Sequence, residues 1–367
     1  MRIVQLLPSM SFGDAVSNDA AAIQQMIREN GLDTVLYSRH IDPRLPAVTV
    51  RHVKDMEPLT DTDILLYHGS TGDPMNLRVP LLKGEKIMRY HNISPPKYFE
   101  EYSSRSKALT ENGYQEMKTI APDFSYALAD SDYNRRDMRR LGFRCPIDVC
   151  PVVIPFSDYD REPDPEVLER YGGDGWTNLL FVGRISPNKR QENVIRAFDH
   201  YCRHYNPRSR LFLVGSAAGM ENYLARLQKY TRSLRAEGKV FFTGQISFRA
   251  ILAYYRLADV FVCMSEHEGF CVPIAEAMYF GRPIVALRAA AVPETLGNGG
   301  LLLDSSDPAV AAAAIDRLLR DHALRDRLAE EQKRKLSGFS YENVRKRLMG
   351  CLEAFMKQTG HRERDEA

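Results

Sequence analysis

The chain has 367 residues, 44% hydrophobic and 27% charged, with Lys+Arg 50 against Asp+Glu 48 for a formal net charge of +2. That length and composition suit two globular domains with separate cores and exclude a disordered chain. The near-balanced charge excludes a general nucleic-acid binder. No apolar run reaches the roughly eighteen residues of a spanning helix, and Met1–Leu7 is too short for a secretory leader. The expectation is a cytoplasmic protein, or one peripheral to the inner face of a membrane. Cys145, Cys150, Cys202, Cys263, Cys271 and Cys351 include no Cys-x-x-Cys pair, so they read as reduced core residues, with no zinc site or disulfide framework expected.

Arg2–Leu7 is a strand-like run, Asp14–Arg28 has apolar residues at helical spacing, and Ser9–Gly13 joins them. A strand, glycine loop and helix can bring backbone amides to a phosphate, although Gly13 alone fits a plain turn equally well. Thr34–Tyr37, Asp63–His68 and Lys86–His91 predict further strands. His91 opens the run His-Asn-Ile-Ser-Pro-Pro, whose prolines prevent regular structure from continuing at once. Lys97–Lys118 reads as a helix of mixed charge whose tyrosines suit either packing or an acceptor. After the strand Phe124–Leu128, Asp130–Gly142 predicts a capped helix carrying Arg135, Arg136, Arg139 and Arg140. Those arginines fit a solvated face or a contact for anionic lipid headgroups. Ile147–Ile154 is expected as the last strand of this half.

Prolines and glycines between Pro155 and Trp176 mark an interdomain boundary. The expected division is a first domain over 1–160, a linker over 161–176 and a second domain over 177–339. A closing helix (about 340–367) crosses back to the first domain.

In the second domain, the strand Asn178–Gly183 runs into the loop Arg184–Arg190 and a helix to about Tyr205. Arg184 offers a planar fork and Lys189 a compact charge beside a helix amino terminus, a combination suited to a diphosphate. Arg210–Gly215 and Lys239–Gly244 are strands. The buried strand Asp259–Met264 leads into Glu266-His-Glu-Gly-Phe-Cys-Val-Pro-Ile-Ala-Glu-Ala-Met278. Glu268 falls in the turn with Gly269, and Glu276 is expected in the first turn of a helix opened by Pro273. Two ionised carboxylates are pure acceptors, suited to the hydroxyls of a polyol. A further strand, Pro283–Leu287, and helices over 308–320, 324–335 and on through Met356 complete the pattern.

The Glu266–Met278 stretch, with its glutamates eight positions apart, closely resembles the double-glutamate motif of the retaining family-4 (group 1) glycosyltransferases. Gly183-Arg-x-x-x-x-Lys189 is similar to that family's diphosphate-binding pair, and His91–Pro96 to a segment of its bacterial polysaccharide members. Cys271 is a departure, standing where many members have glycine. The resemblance implies an α/β fold of the GT-B kind, two Rossmann-like domains facing each other across a cleft. It implies transfer of a hexose from a UDP- or GDP-linked donor to a hydroxyl of a lipid-linked glycan acceptor, with retention, in surface polysaccharide biosynthesis.

By the same resemblance, Arg184 and Lys189 meet the departing diphosphate, Glu276 the ribose and Glu268 the sugar, with Gly269, Phe270, Cys271 and Val272 alongside. Gln245 and Ile246 meet the base, Gly13 the donor's phosphates and sugar, and His91 the sugar. His91, Arg184, Lys189 and Glu268 form the implied catalytic set. No metal and no cofactor are expected. The expected partners are the nucleotide sugar, the glycan acceptor and an anionic membrane surface, with no nucleic acid. A nucleotide-sugar epimerase or phosphorylase on the same fold, and a non-catalytic nucleotide-sugar-binding subunit, are the alternatives.

Overall fold

Strands that are apolar at nearly every position fit a parallel sheet covered on both faces, and the computed structural model, which describes residues 1–46 and 50–360, contains two such sheets. The end of the expected closing helix, 361–367, lies outside the described residues. The chain divides into two units. One holds Met1–Pro96, Ala108–Pro155 and the segment from Gly338, and the other Lys97–Lys107 with Phe156–Ser337.

The first unit's strands are β1 (Ile3–Met10), β2 (Thr34–Ile41), β3 (Arg51–His52), β4 (Ile64–Gly69), β5 (Glu85–Tyr90), β6 (Tyr126–Ala129) and β7 (Ile147–Val149). They form a seven-stranded parallel sheet in the order β3-β2-β1-β4-β5-β6-β7. Its helices are α1 (Ala15–Glu29), α2 (Ser104–Ile120) and α3 (Asp132–Arg140), the first turn of α2 falling in the other unit. Side chains start both α1 and α3, the latter as expected: Asp14 accepts from the Ser17 amide, and Ser131 from the Asn134 amide.

The second unit holds α4 (Pro165–Tyr171), β8 (Thr177–Val182), α5 (Gln191–His204), β9 (Ser209–Val214), α6 (Glu221–Ser233), β10 (Val240–Gly244), α7 (Phe248–Leu257), β11 (Val260–Cys263), α8 (Val272–Tyr279), β12 (Ile284–Leu287), α9 (Val292–Leu296), β13 (Leu301–Leu303), α10 (Pro308–Arg320) and α11 (His322–Ser337). Its six strands, parallel throughout, run β10-β9-β8-β11-β12-β13. Both sheets therefore reverse their strand order once, between β1 and β4 and between β8 and β11. In an open α/β sheet, ligands bind at the carboxyl ends of the strands beside that reversal. The last helix, α12 (Tyr341–Gln358), returns to the first unit, where Val344, Leu348, Leu352 and Phe355 join Ile23, Met26 and Ile27 of α1 in one apolar cluster.

Three local expectations are corrected. Strand β7 ends at Val149 rather than Ile154, because side chains claim the backbone that a ladder would use. Arg89 donates to the carbonyls of Cys150 and Pro151, and Asp19 accepts from the Val153 amide. Lys97–Lys118 is not one helix: a short turn at Pro96–Tyr98 precedes α2, which begins only at Ser104. Glu276 lies past the first turn of α8, since Val272 rather than Pro273 opens that helix.

Candidate active site

The two loops at the reversal of the second sheet are stitched together by the protein's own polar groups. Asn188, buried in the loop after β8, donates its amide to the His267 carbonyl (3.0 Å), and its own carbonyl accepts from the Glu266 amide (3.0 Å). Ser186 fixes that asparagine by donating to its Oδ1 at 2.6 Å. Beneath them β8 and β9 run close at their ends, where a side chain on Gly215 would strike the Gly183 carbonyl at 2.1 Å.

This frame brings Lys189 and Glu268 into direct contact. The ammonium donates to Oε1 at 2.6 Å, with side chains only 17% and 11% exposed. Burial pulls the Lys189 pKa down, but the carboxylate and two neighbouring sulfurs outweigh it, and the net shift is upward. Next in the chain, Arg190 caps α5 in a left-handed conformation (φ 48°). It donates to Glu266 (2.9 Å) and Glu192 (3.3 Å) and lies over the Tyr98 ring at 5.6 Å. Arg184 is exposed, and its carbonyl is held by Gln191.

The turn after Glu268 is pinned from the next loop. The Ala291 amide donates to the Glu268 carbonyl at 3.2 Å, and the Thr295 hydroxyl donates to the Phe270 carbonyl. Cys271 ends the turn at φ 73°, and Val272 opens α8. From α8, Glu276 receives a hydroxyl on each carboxylate oxygen, Tyr159 on Oε1 and Tyr255 on Oε2, both at 2.6 Å. Burial raises its pKa, and the two tyrosine hydrogen bonds oppose the rise without cancelling it. Gln245 is exposed in the turn after β10, on the same carboxyl edge, and Ile246 packs at the rim of the apolar cluster that holds Cys271 and Ile274.

In the first unit, Gly13 sits at φ 73° in the turn between β1 and α1, with open space around it, so it is the backbone conformation that favours glycine there. His91 follows β5 at the same carboxyl edge, and its imidazole is only 2% exposed. Nδ1 faces Asp130 Oδ2 at 3.2 Å, and Nε2 faces His68 Nδ1 at 3.0 Å. A carboxylate only accepts, so Nδ1 carries a proton there. His68 in turn meets Gln5 at 2.9 Å, and burial with the charges of His91 and Arg89 holds its pKa well below the usual histidine range. Arg89, fully buried, bridges Asp19 and Asp130 at 2.9 Å each.

Among the described residues, two clusters place metal-ligating atoms within 4.8 Å of one another, Asp19 with His68 and His91, and Cys263 with Glu268 and Cys271. The first is already committed to hydrogen bonds and lies against the Arg89 guanidinium, a poor setting for a further cation. On α3, Arg135 pairs with Asp132 (2.5 Å), and Arg139 donates to the carbonyls of Phe143 (2.9 Å) and Cys145 (2.8 Å). All four arginines of that helix remain exposed. Among the described residues, no helix is long and apolar enough to cross a membrane.

Of the expected residues, then, the structure joins Lys189 to Glu268 directly and sets Arg184, Gln245, Gly269, Phe270, Cys271, Val272 and Glu276 along the carboxyl edge of one sheet. Gly13 and His91 lie on the other sheet. Sequence reasoning passed over Asn188, Arg190, Tyr159, Tyr255 and His68. Only Arg89 carried a visible signal, a charge inside a buried strand that demands counter-charges.

Two doubly wound parallel sheets make two Rossmann-like α/β units, and the comparisons with solved structures agree on that fold. The fold is similar to that of sucrose-phosphate synthase from Thermosynechococcus elongatus (TM-score 0.75, 18% identity, 98% of this chain and 100% of that one). It is also similar to that of Anabaena HepE in complex with UDP-glucose (TM-score 0.74, 17% identity, 96% and 100%). Residues 173–335, most of the second unit, match the family described as glycosyl transferases group 1.

Among curated proteins, the chain is similar to O-antigen chain mannosyltransferase B of Escherichia coli (26% identical, covering 83% of this chain and 76% of that protein). It is also similar to the GDP-mannose-dependent alpha-(1-6)-phosphatidylinositol monomannoside mannosyltransferase of Mycolicibacterium smegmatis (32% identical). In this second case the chain spans about half the relative's length (46%).

Proposed function

We propose that the protein transfers a hexose from a nucleoside diphosphate sugar to a hydroxyl of a glycan acceptor, with retention of anomeric configuration. The observation that carries this reading is the 2.6 Å contact between Lys189 and Glu268 at the reversal of the second sheet, with Glu276 on the helix that follows. Departure of a diphosphate builds negative charge, and Lys189 with Arg184 stabilises that charge more as the bond breaks. Glu276 accepts from the ribose hydroxyls beside its tyrosine donors, since each carboxylate oxygen can take a second hydrogen bond, and Glu268 from the sugar hydroxyls while it holds Lys189 in position. Amides at Gly269, Phe270, Cys271 and Val272 orient the donor, and Gln245 with Ile246 takes the base. The two cations carry the leaving-group charge, so no metal ion or cofactor is assigned a part.

The first unit is assigned the acceptor. Gly13 and the His91 imidazole, fixed by Asp130 and His68, are its candidates for contact with the donor. The Escherichia coli relative is a mannosyltransferase and the Mycolicibacterium one is GDP-mannose-dependent, which makes GDP-mannose the first donor to test, and the HepE complex makes UDP-glucose the second. A lipid-linked acceptor at the cytoplasmic face of a membrane fits surface polysaccharide assembly, with the α3 arginines toward anionic lipid.

A melting-temperature screen of UDP- and GDP-sugars tests the donor, because a ligand that binds only the folded form raises apparent stability. Turnover with the stabilising donor is then compared in Glu276→Ala, Glu268→Gln and Lys189→Ala. Wild-type rates in all three, with the fold intact, refute the assignment. Turnover that needs an added divalent ion after chelation removes the metal-independent part. Equal binding to neutral and anionic vesicles, unaffected by salt, removes the membrane part.

A further inference from the structure

We propose that Cys263, Cys271 and Glu268 form a binding site for a thiophilic divalent cation of the Zn²⁺ class. Their two sulfurs and a carboxylate oxygen lie within 4.8 Å of one another. The sulfurs are 3.9 Å apart. Thiolates at about 2.3 Å from a tetrahedral zinc stand roughly 3.8 Å apart, so the pair is already set at the bite of such an ion. A disulfide, at about 2.05 Å, demands that the sulfurs close almost half of that gap.

The backbone supports the same reading. Cys263 ends strand β11, held by its ladder to β8 and β12. Cys271 adopts φ 73° and ψ 65° at the start of α8, a conformation that glycine takes freely and a residue with a Cβ takes only under strain. The strain turns a sulfur toward Cys263 rather than leaving the position bare. Glu268 already meets a cation, the Lys189 ammonium at 2.6 Å, but that ammonium, unlike the fully buried Arg89, is open enough to withdraw when an ion arrives. Entry lies on the glutamate side: Glu268 and Lys189 are partly open, whereas both cysteines are buried.

Coordination converts two thiols to thiolates, releases two protons and transfers Glu268 from the ammonium to the ion. The consequence for turnover, inhibition by loss of the Lys189–Glu268 contact, rests on the function proposed above. Binding does not, so binding is what the experiment reads.

The full-length protein, kept reduced by a phosphine, is titrated with Cd²⁺, and the ultraviolet thiolate-to-cadmium charge-transfer band is followed. The expected result is a band saturating at one ion per chain and reversed by excess Zn²⁺. It is lost in Cys263→Ala and in Cys271→Gly, the latter a change the backbone conformation accommodates. Glu268→Gln keeps the band but weakens the affinity by at least the roughly tenfold that even outer-shell partners command. Far-ultraviolet circular dichroism confirms that each variant is folded. No band in the wild type overturns the proposal, as does a band unchanged in both cysteine variants, which assigns the signal to Cys145, Cys150, Cys202 or Cys351.

Discussion

Replacing Lys189 with methionine keeps the aliphatic stem and removes the charge that faces Glu268. The pair is short at 2.6 Å, and both side chains are largely withdrawn from water, at 17% and 11% exposure. A charge-assisted hydrogen bond in such a setting contributes about 1.5–3 kcal/mol. Lys189→Met therefore costs about 2 kcal/mol of stability, most of it from a carboxylate left poorly hydrated and without its partner. Glu268→Gln leaves the ammonium stranded in the same way, and Lys189→Met/Glu268→Gln recovers part of both losses.

A urea-denaturation cycle over the four proteins should give a coupling of about 2 kcal/mol. In turnover, loss of one preorganised donor to the leaving group costs about 10²–10³ in kcat. A coupling under about 0.5 kcal/mol shows that the pair is not made in solution. A kcat within about threefold of wild type, worth only about 0.7 kcal/mol of barrier, removes Lys189 from the diphosphate.

His267 is buried, and desolvation, the largest cause, lowers its pKa to about 4. A depressed histidine pKa means that the unfolded chain takes up protons first, so its contribution to stability is present above about 6.5 and lost as the pH falls toward 4. The protein is expected to be about 2 kcal/mol less stable at pH 5 than at pH 7 on this account, and His267→Gln to lose that difference; an unchanged pH dependence refutes it. Arg89→Met strands Asp19 and Asp130, both essentially inaccessible, and is expected to cost about 3–5 kcal/mol, read as a fall in the denaturation midpoint. Tyr255→Phe removes one of two hydroxyls from Glu276, disfavouring the ionised carboxylate further, and nucleotide-sugar affinity measured by calorimetry is expected to fall by about tenfold. An affinity equal to wild type argues that Glu276 does not need that donor.

The fold was legible because the apolar runs Ile3–Leu7, Leu179–Val182 and Val260–Cys263 could be read one strand at a time, and the helix caps at Asp14 and Ser131 are local signals. The contacts that shape the site are not local. Tyr159 and Tyr255 reach Glu276 from a turn and from α7, and nothing in either neighbourhood marks a partner in α8. Asn188 reads as a loop residue until the loop after β11 closes over it. The contact between Lys189 and Glu268 escaped for a different reason: each was assigned to a ligand atom of its own, and spacing along the chain does not show that two such groups neutralise each other. Strand β7 was overextended because periodicity sees the apolar Val152–Ile154 but not the Arg89 and Asp19 side chains that capture the backbone of Cys150, Pro151 and Val153.

Helix α12 has a bearing on how the molecule is made. A ribosome delivers residues in order, so Ile23, Met26 and Ile27 emerge long before Val344, Leu348, Leu352 and Phe355, the side chains that cover them. By the time Ser337 has left the exit tunnel, every strand and helix of the second unit is in hand. The half begun first is thus the half finished last, and in the interval its α1 face is the apolar surface a nascent-chain chaperone meets.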